Sequence, residues 1–304
     1  MSFTLCSSPS QAVRLSSRWL LIIGTLLMGF ALSSCGTLRL AYSNAPGLAF
    51  WWLDGYLDFD AEQSPRLRAD LQSAQDWHRK EELPLLLEQL GELQSRALQP
   101  TTPEAVCQMT SDLQNRYQAA LAHMVPTIVA MAPTLREAQL AHLEKELAKR
   151  RADWQRDYVD GTAAQRMERR YKKTLERTES FYGRLTSEQI DLLRTQITTS
   201  GFDAAIQDRE NLRRHHDMLE ILGQIRSGVL APSQVPAAVA ALLQRLFSSP
   251  NANYRAYLAR ATQQGCVSFA ALHNSTLTRQ RVQLAETLQD YAQDLQSQLP
   301  ATSR

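Results

Sequence analysis

The sequence predicts an all-α protein, an elongated multi-helix bundle of about nine helices behind a cleaved export leader. Three observations carry that prediction. Apolar residues recur at three- and four-residue steps through nearly the whole chain. No run alternates apolar and polar residues as a half-buried strand would. Glycine is scarce, 12 of 304 residues, whereas a turn-rich sandwich or barrel uses more. A chain that is 44% hydrophobic and 21% charged is neither disordered nor a multi-span membrane protein.

The first element is a leader. Arg14 and Arg18 precede an uncharged fourteen-residue run, Trp19 to Leu32, and Leu32-Ser33-Ser34-Cys35 follows. The run is short for a spanning helix, and the order basic, apolar, small is that of a secretory signal. The Leu-Ser-Ser-Cys ending resembles a bacterial lipobox. That resemblance implies diacylation of the Cys35 thiol, cleavage before Cys35 and acylation of the new amino terminus. Gly36 stands where an inner-membrane retention signal would have Asp, so the likeness to sorted lipoproteins points to the outer membrane, facing the periplasm. The domains expected are therefore a leader at 1–34, the lipidated cysteine and a tether at 35–46, and one helical body at 47–304. The leader holds two arginines and no acid, so 33 basic against 31 acidic residues become 31 against 31. The apparent basicity belongs to the export signal. Cys107 and Cys266 remain as thiols of the body, candidates for one disulfide in an oxidising compartment or for two small core side chains.

Within the body, Leu48, Trp51, Trp52, Tyr56 and Phe59 lie at helical steps in a short aromatic helix. The cluster with Phe50 could plug the core or rest in a membrane interface, where Trp and Tyr are favoured. A longer pattern covers about 61–98, with Pro84 dividing it and either Ser64-Pro65 or Asp60 starting it. Thr102-Pro103 opens the next helix, to about 124. Pro126 and Pro133 break the chain before helices at about 134–159 and 162–182. Leu185-Thr186-Ser187-Glu188-Gln189-Ile190 is a capping box with a hydrophobic staple. Further helices are expected near 187–199, 203–226, 233–247, 252–263, 265–273 and 277–298. No internal repeat is evident.

Chemistry-bearing motifs are absent. None of the six histidines stands in a His-Glu-x-x-His arrangement, no Cys-x-x-Cys occurs, and there is no Gly-x-Ser-x-Gly elbow or phosphate loop. No metal, cofactor or catalytic residue is nominated. Arg166, Arg169, Arg170, Lys172, Lys173 and Arg177 form a basic helix, readable as a solvated face or as a site for an acidic surface. Export argues against nucleic acid as its partner.

Two resemblances add to this. Leu40-Ala-Tyr-Ser-Asn-Ala, the run Trp51-Trp52-Leu53-Asp54-Gly-Tyr56-Leu-Asp58, Trp77-His78-Arg79 with Glu82-Leu83-Pro84, and His273-Asn274-Ser275-Thr276 with Gln280-Arg281 resemble an uncharacterised proteobacterial lipoprotein family, a domain of unknown function. The likeness implies helix, anchor and envelope, and no activity. Leu185-Thr186-x-x-Gln189 is similar to the motif of small helical periplasmic chaperones, which usually carry two copies. Here it is evident once.

The reading that follows is a non-enzymatic, outer-membrane-anchored helical lipoprotein that binds a client protein or an envelope component. Its candidate binding residues are Trp51, Trp52, Trp77, His78, Arg169, Arg170 and Lys173. The alternative is an envelope hydrolase using His78 with Glu81 or Glu82, which requires those side chains to converge on a cavity.

Overall fold

The computed structural model describes residues 36–300, and Cys35 and the leader lie outside them. Among the described residues the fold is an all-α elongated bundle without strands. It has eleven helices of twelve residues or more and two of seven, against the nine or so expected. In chain order these are α1 (Thr37–Ser43), α2 (Ala45–Leu57), α3 (Gln63–Trp77), α4 (Leu83–Ala97), α5 (Pro103–His123) and α6 (Val125–Met131). They continue as α7 (Glu137–Tyr158), α8 (Ala163–Tyr182), α9 (Ser187–Thr198), α10 (Ala204–Arg226), α11 (Val235–Phe247), α12 (Ala252–Asn274) and α13 (Thr278–Gln296). No single described helix is long and apolar enough to cross a membrane.

Local chemistry explains the boundaries. The start of α3 goes to Asp60, not Ser64. The Asp60 carboxylate accepts from the Glu62 and Gln63 amides at 2.8 Å each, while the Ser64 hydroxyl is spent on the Asp60 carbonyl at 2.7 Å. An ionised acceptor reaching two free amides is the stronger cap. Pro84 divides the 61–98 pattern as expected, but the break lies upstream of it. Proline cannot donate to the carbonyl four residues earlier and crowds it. The chain absorbs the defect as a π-helical turn over His78–Glu82. The helices expected at 252–263 and 265–273 are one helix, α12, since Gly265 is carried inside it.

The core is distributed along the body. One cluster joins Leu143 and Leu147 of α7 to Leu222, Ile225, Val235 and Val239. A second joins Tyr171, Tyr182, Leu193, Ile197 and Leu272. Phe50, Leu67, Leu71 and Met131 form a third. In the fourth, Cys107 of α5 and Cys266 of α12 are joined by a disulfide beside Val106 and Ala270. The ends of the described chain meet where α13 packs along α4 and against α1.

Four glutamines organise the joints, and three of them went unread in the sequence. Each sits three residues into a cap and accepts from the cap's backbone N–H: Gln63 from Asp60, Gln139 from Arg136, Gln189 from Thr186, Gln280 from Leu277. They pair reciprocally. Gln63 and Gln139 each donate an amide hydrogen to the other's oxygen at 3.2 and 2.8 Å. Gln189 and Gln280 do the same at 2.8 and 2.9 Å. The remaining amide hydrogens go to backbone carbonyls across the joint, Gln63 to Thr134, Gln139 to Leu57, Gln189 to Ser275 and Gln280 to Arg184. One clasp locks the α2–α3 and α6–α7 turns together. The other locks α8–α9 to α12–α13.

Candidate functional site

The seven side chains nominated as a binding surface fall in three separate places. Trp51 and Trp52 are exposed on α2. Trp77 ends α3, its ring stacked on His123 at 3.9 Å. His78 opens the π-turn, and its Nδ1 lies 2.7 Å from the Tyr42 hydroxyl. Arg169, Arg170 and Lys173 lie on α8.

His78 is half-buried. Burial lowers its pKa, with the Glu82 charge opposing, and burial raises that of Tyr42, with Arg79 opposing. Both are therefore neutral near pH 7. Glu82 bonds Arg116 at 3.4 Å, and Glu81 pairs at 3.7 Å with exposed Lys80. Glu82 is close enough for its charge to act on His78, and His78 lines none of the three clefts described on this body.

The histidine at the other end of the family-like motifs has a structural task. His273 Nε2 lies 2.8 Å from the Gln99 carbonyl and must donate to it, so Nδ1 accepts from the Tyr182 hydroxyl at 2.8 Å. Asn274 brackets Thr101, accepting from its N–H and donating to its carbonyl at 2.8 Å each. Together they clamp the α4–α5 loop onto the end of α12. Burial lowers the His273 pKa and raises that of Tyr182, which keeps both neutral.

The basic helix α8 divides between structure and opportunity. Arg169 donates to the Asp157 carbonyl at 2.9 Å and also to that of Asp160. Arg166 donates to the Val159 and Gly161 carbonyls at 3.3 and 2.5 Å. These are the unsatisfied carbonyls at the end of α7, and two cations there complement its dipole. Lys173 bonds Asp157 at 2.6 Å, lowering that carboxyl's pKa.

Arg170 differs. It lies half-buried over the Phe202 ring, 4.5 Å from its centroid, and donates to the Ser200 hydroxyl at 2.7 Å. Among the described residues no carboxylate is bonded to it, and burial lowers its pKa. It opens into a cleft of about 460 Å³ between the end of α7, α8 and the start of α10. Tyr158, Met167 and Phe202 make the apolar walls and Arg170 supplies the free charge, while Arg166 lines the cleft with its guanidinium committed to the Val159 and Gly161 carbonyls. Asp203 stands at the rim, its carboxylate committed to the Ala205 and Ile206 amides at 2.8 and 3.0 Å. Among the described residues no group of three or more His, Cys, Asp or Glu is placed to hold a metal ion.

Residues 55–255 match a family of unknown function, DUF6279. The chain belongs to that family. No curated protein and no solved structure matches it significantly. The DUF6279 match takes in the π-turn, the basic helix and the cleft. It leaves out α1, most of α2, the disulfide's Cys266 and the last helix.

Sequence reasoning nominated Arg170 for belonging to a basic run. It missed Tyr158, Met167 and Phe202, the walls that make the arginine a site. The signal available was an aromatic residue ahead of each of two capped helix starts, Tyr158 four residues before Thr162 and Phe202 immediately before Asp203.

Proposed function

We propose that this DUF6279 protein is a lipid-anchored envelope protein, held by Cys35 at the outer membrane, whose helical body binds an acidic group of a periplasmic client or envelope component. The observation that carries the binding half is the α7–α8–α10 cleft. Arg170 is partly desolvated there without a carboxylate partner, beside aromatic and thioether walls. Such a cleft suits an anion attached to an apolar body. The anchor half rests on the ordered leader and Leu32-Ser-Ser-Cys35. A disulfide across 159 residues suits an oxidising compartment.

Two measurements test it. Palmitate should label the wild type in growing cells and fail to label Cys35→Ala. The body should suppress aggregation of a chemically denatured client, and Arg170→Ala should weaken that at least several-fold. Absence of label removes the anchor. Aggregation that proceeds unchanged in the presence of the wild type removes the client.

A further inference from the structure

The first two helices carry exposed apolar side chains that nothing among the described residues covers. From Leu40 to Leu53 the sequence has no charged residue. Within that stretch Phe50 turns inward, 5% exposed, onto Leu67, Leu71 and Met131. Its neighbours turn outward: Trp51 is 73% exposed, Trp52 51%, Leu48 52% and Leu40 66%. Single exposed apolar residues are ordinary on a protein surface. Trp51 and Trp52 with Leu48 one turn before them form a patch on α2, and Leu40 is exposed on the adjoining α1; such patches mark interaction sites.

The position of the patch says what the partner is. Helix α1 begins at Thr37, two residues after Cys35, and Trp51 is sixteen residues from that cysteine. At helical rise that separation is about 25 Å. An acylated Cys35 holds the amino terminus among lipid headgroups, so the patch is never far from them. Indole is suited to that layer, having a broad apolar ring and one N–H donor.

We infer that the face of α1 and α2 bearing Leu40, Leu48, Trp51 and Trp52 rests in the headgroup region of the bilayer that anchors Cys35. The inference rests on the anchor reading proposed above. The lipid fixes the distance of the body from the membrane, and this second point of attachment fixes its tilt.

The test uses the full chain, purified from membranes as the cell makes it and reconstituted into phosphatidylcholine vesicles with or without brominated acyl chains. Bromine quenches only indoles that enter the bilayer. Trp51 and Trp52 are two of the four tryptophans after Cys35, the others being Trp77 and Trp154. The wild type should lose roughly half its emission in brominated vesicles, and Trp51→Phe/Trp52→Phe should lose much less. Both side chains are exposed, so the variant should keep its far-ultraviolet spectrum. Equal wild-type emission in the two vesicle types, or equal quenching of wild type and variant, overturns the inference. So does emission shifted to the blue without bromine quenching, the mark of a second copy or another protein on the face. The mass of the amino-terminal peptide reports acylation separately. An acylated chain with unquenched tryptophans refutes the face alone, whereas an unacylated chain refutes the anchor. In that case the uncleaved apolar leader still tethers the chain, and the wild-type-minus-variant difference still reads the face.

Discussion

Replacing Gln280 by alanine should be among the most damaging single changes in the protein, although the residue belongs to no site. Gln280 is 2% exposed, and every valence of its amide is filled. Its nitrogen donates to the Arg184 carbonyl and to Gln189 Oε1, both at 2.9 Å. Its oxygen accepts from Gln189 Nε2 at 2.8 Å and from the Leu277 N–H at 2.9 Å. Alanine removes four hydrogen bonds, freeing the Arg184 carbonyl and the Leu277 N–H and leaving each end of the buried Gln189 amide with one of its two partners. At about 1 kcal/mol per bond, and more for each group left without water, the loss comes to ~3–5 kcal/mol. The protein supplies its own control. Gln165 accepts from the Thr162 N–H at 2.9 Å in the same capping geometry, but on the exposed surface with no partner across a joint. Gln165→Ala should cost about 0.5–1 kcal/mol. Gln189→Ala/Gln280→Ala should cost less than the sum of its singles, with a coupling of ~1–3 kcal/mol. Urea unfolding of the leaderless body, followed by far-ultraviolet circular dichroism, measures all four. A Gln280→Ala cost no larger than that of Gln165→Ala, or no coupling between Gln189 and Gln280, would refute the clasp.

Two further predictions concern charge and redox state. Glu210, whose side chain is 2% exposed, is held by two bonds from Arg213 at 2.6 and 3.0 Å, by Arg214 at 3.2 Å and by Ser249 at 3.0 Å. Burial pushes its carboxyl up, but these partners outweigh burial and hold it below the ordinary 4.5. A carboxyl depressed on folding stabilises the fold above its unfolded pKa and loses that contribution as the pH falls through the folded value. Glu210→Gln should therefore cost about 3 kcal/mol at pH 7, with the deficit shrinking below pH 4.5, measured by urea titration across that range. A deficit that stays constant into acid would show that shape, not charge, is what Glu210 supplies. Reducing Cys107–Cys266 reopens a 159-residue loop and should destabilise the body by about 5 kcal/mol from loop entropy. Thermal melting with and without reductant checks it, and Cys107→Ser/Cys266→Ser should melt like the reduced protein and show no gel shift.

What the sequence made legible depended on how far apart the interacting groups lie along the chain. Thr186 and Gln189 are three residues apart, so their box could be read directly. The same glutamine device at 63, 139 and 280 escaped because its cap residues are Asp60, Arg136 and Leu277, with nothing in common but a backbone N–H. Its decisive bonds then cross 76 and 91 residues, a distance at which spacing carries no signal. The aromatic run at 50–59 failed differently. Read as one cluster, it left core and membrane open as rivals. Consecutive helical residues point about 100° apart, so Phe50 can belong to the core while Trp51 faces out. Positions 48, 51, 52 and 55 mark one side of that helix, and 50, 53 and 57 mark another. The basic helix shows the converse limit. Arg166 and Arg169 read as free charge because the carbonyls that consume them lie in the last turn of the preceding helix and in the turn that follows it. That helix ends at Tyr158, and Gly161, at φ 88°, lies in the turn that folds the next one back onto its end. A glycine-containing turn followed within about two helical turns by arginines is thus a reason to subtract those arginines before counting a binding face. Applied to this chain, the subtraction removes Arg166 and Arg169, and the Asp157 pair removes Lys173. Of the three nominated cations, Arg170 alone remains with its charge turned into a cleft.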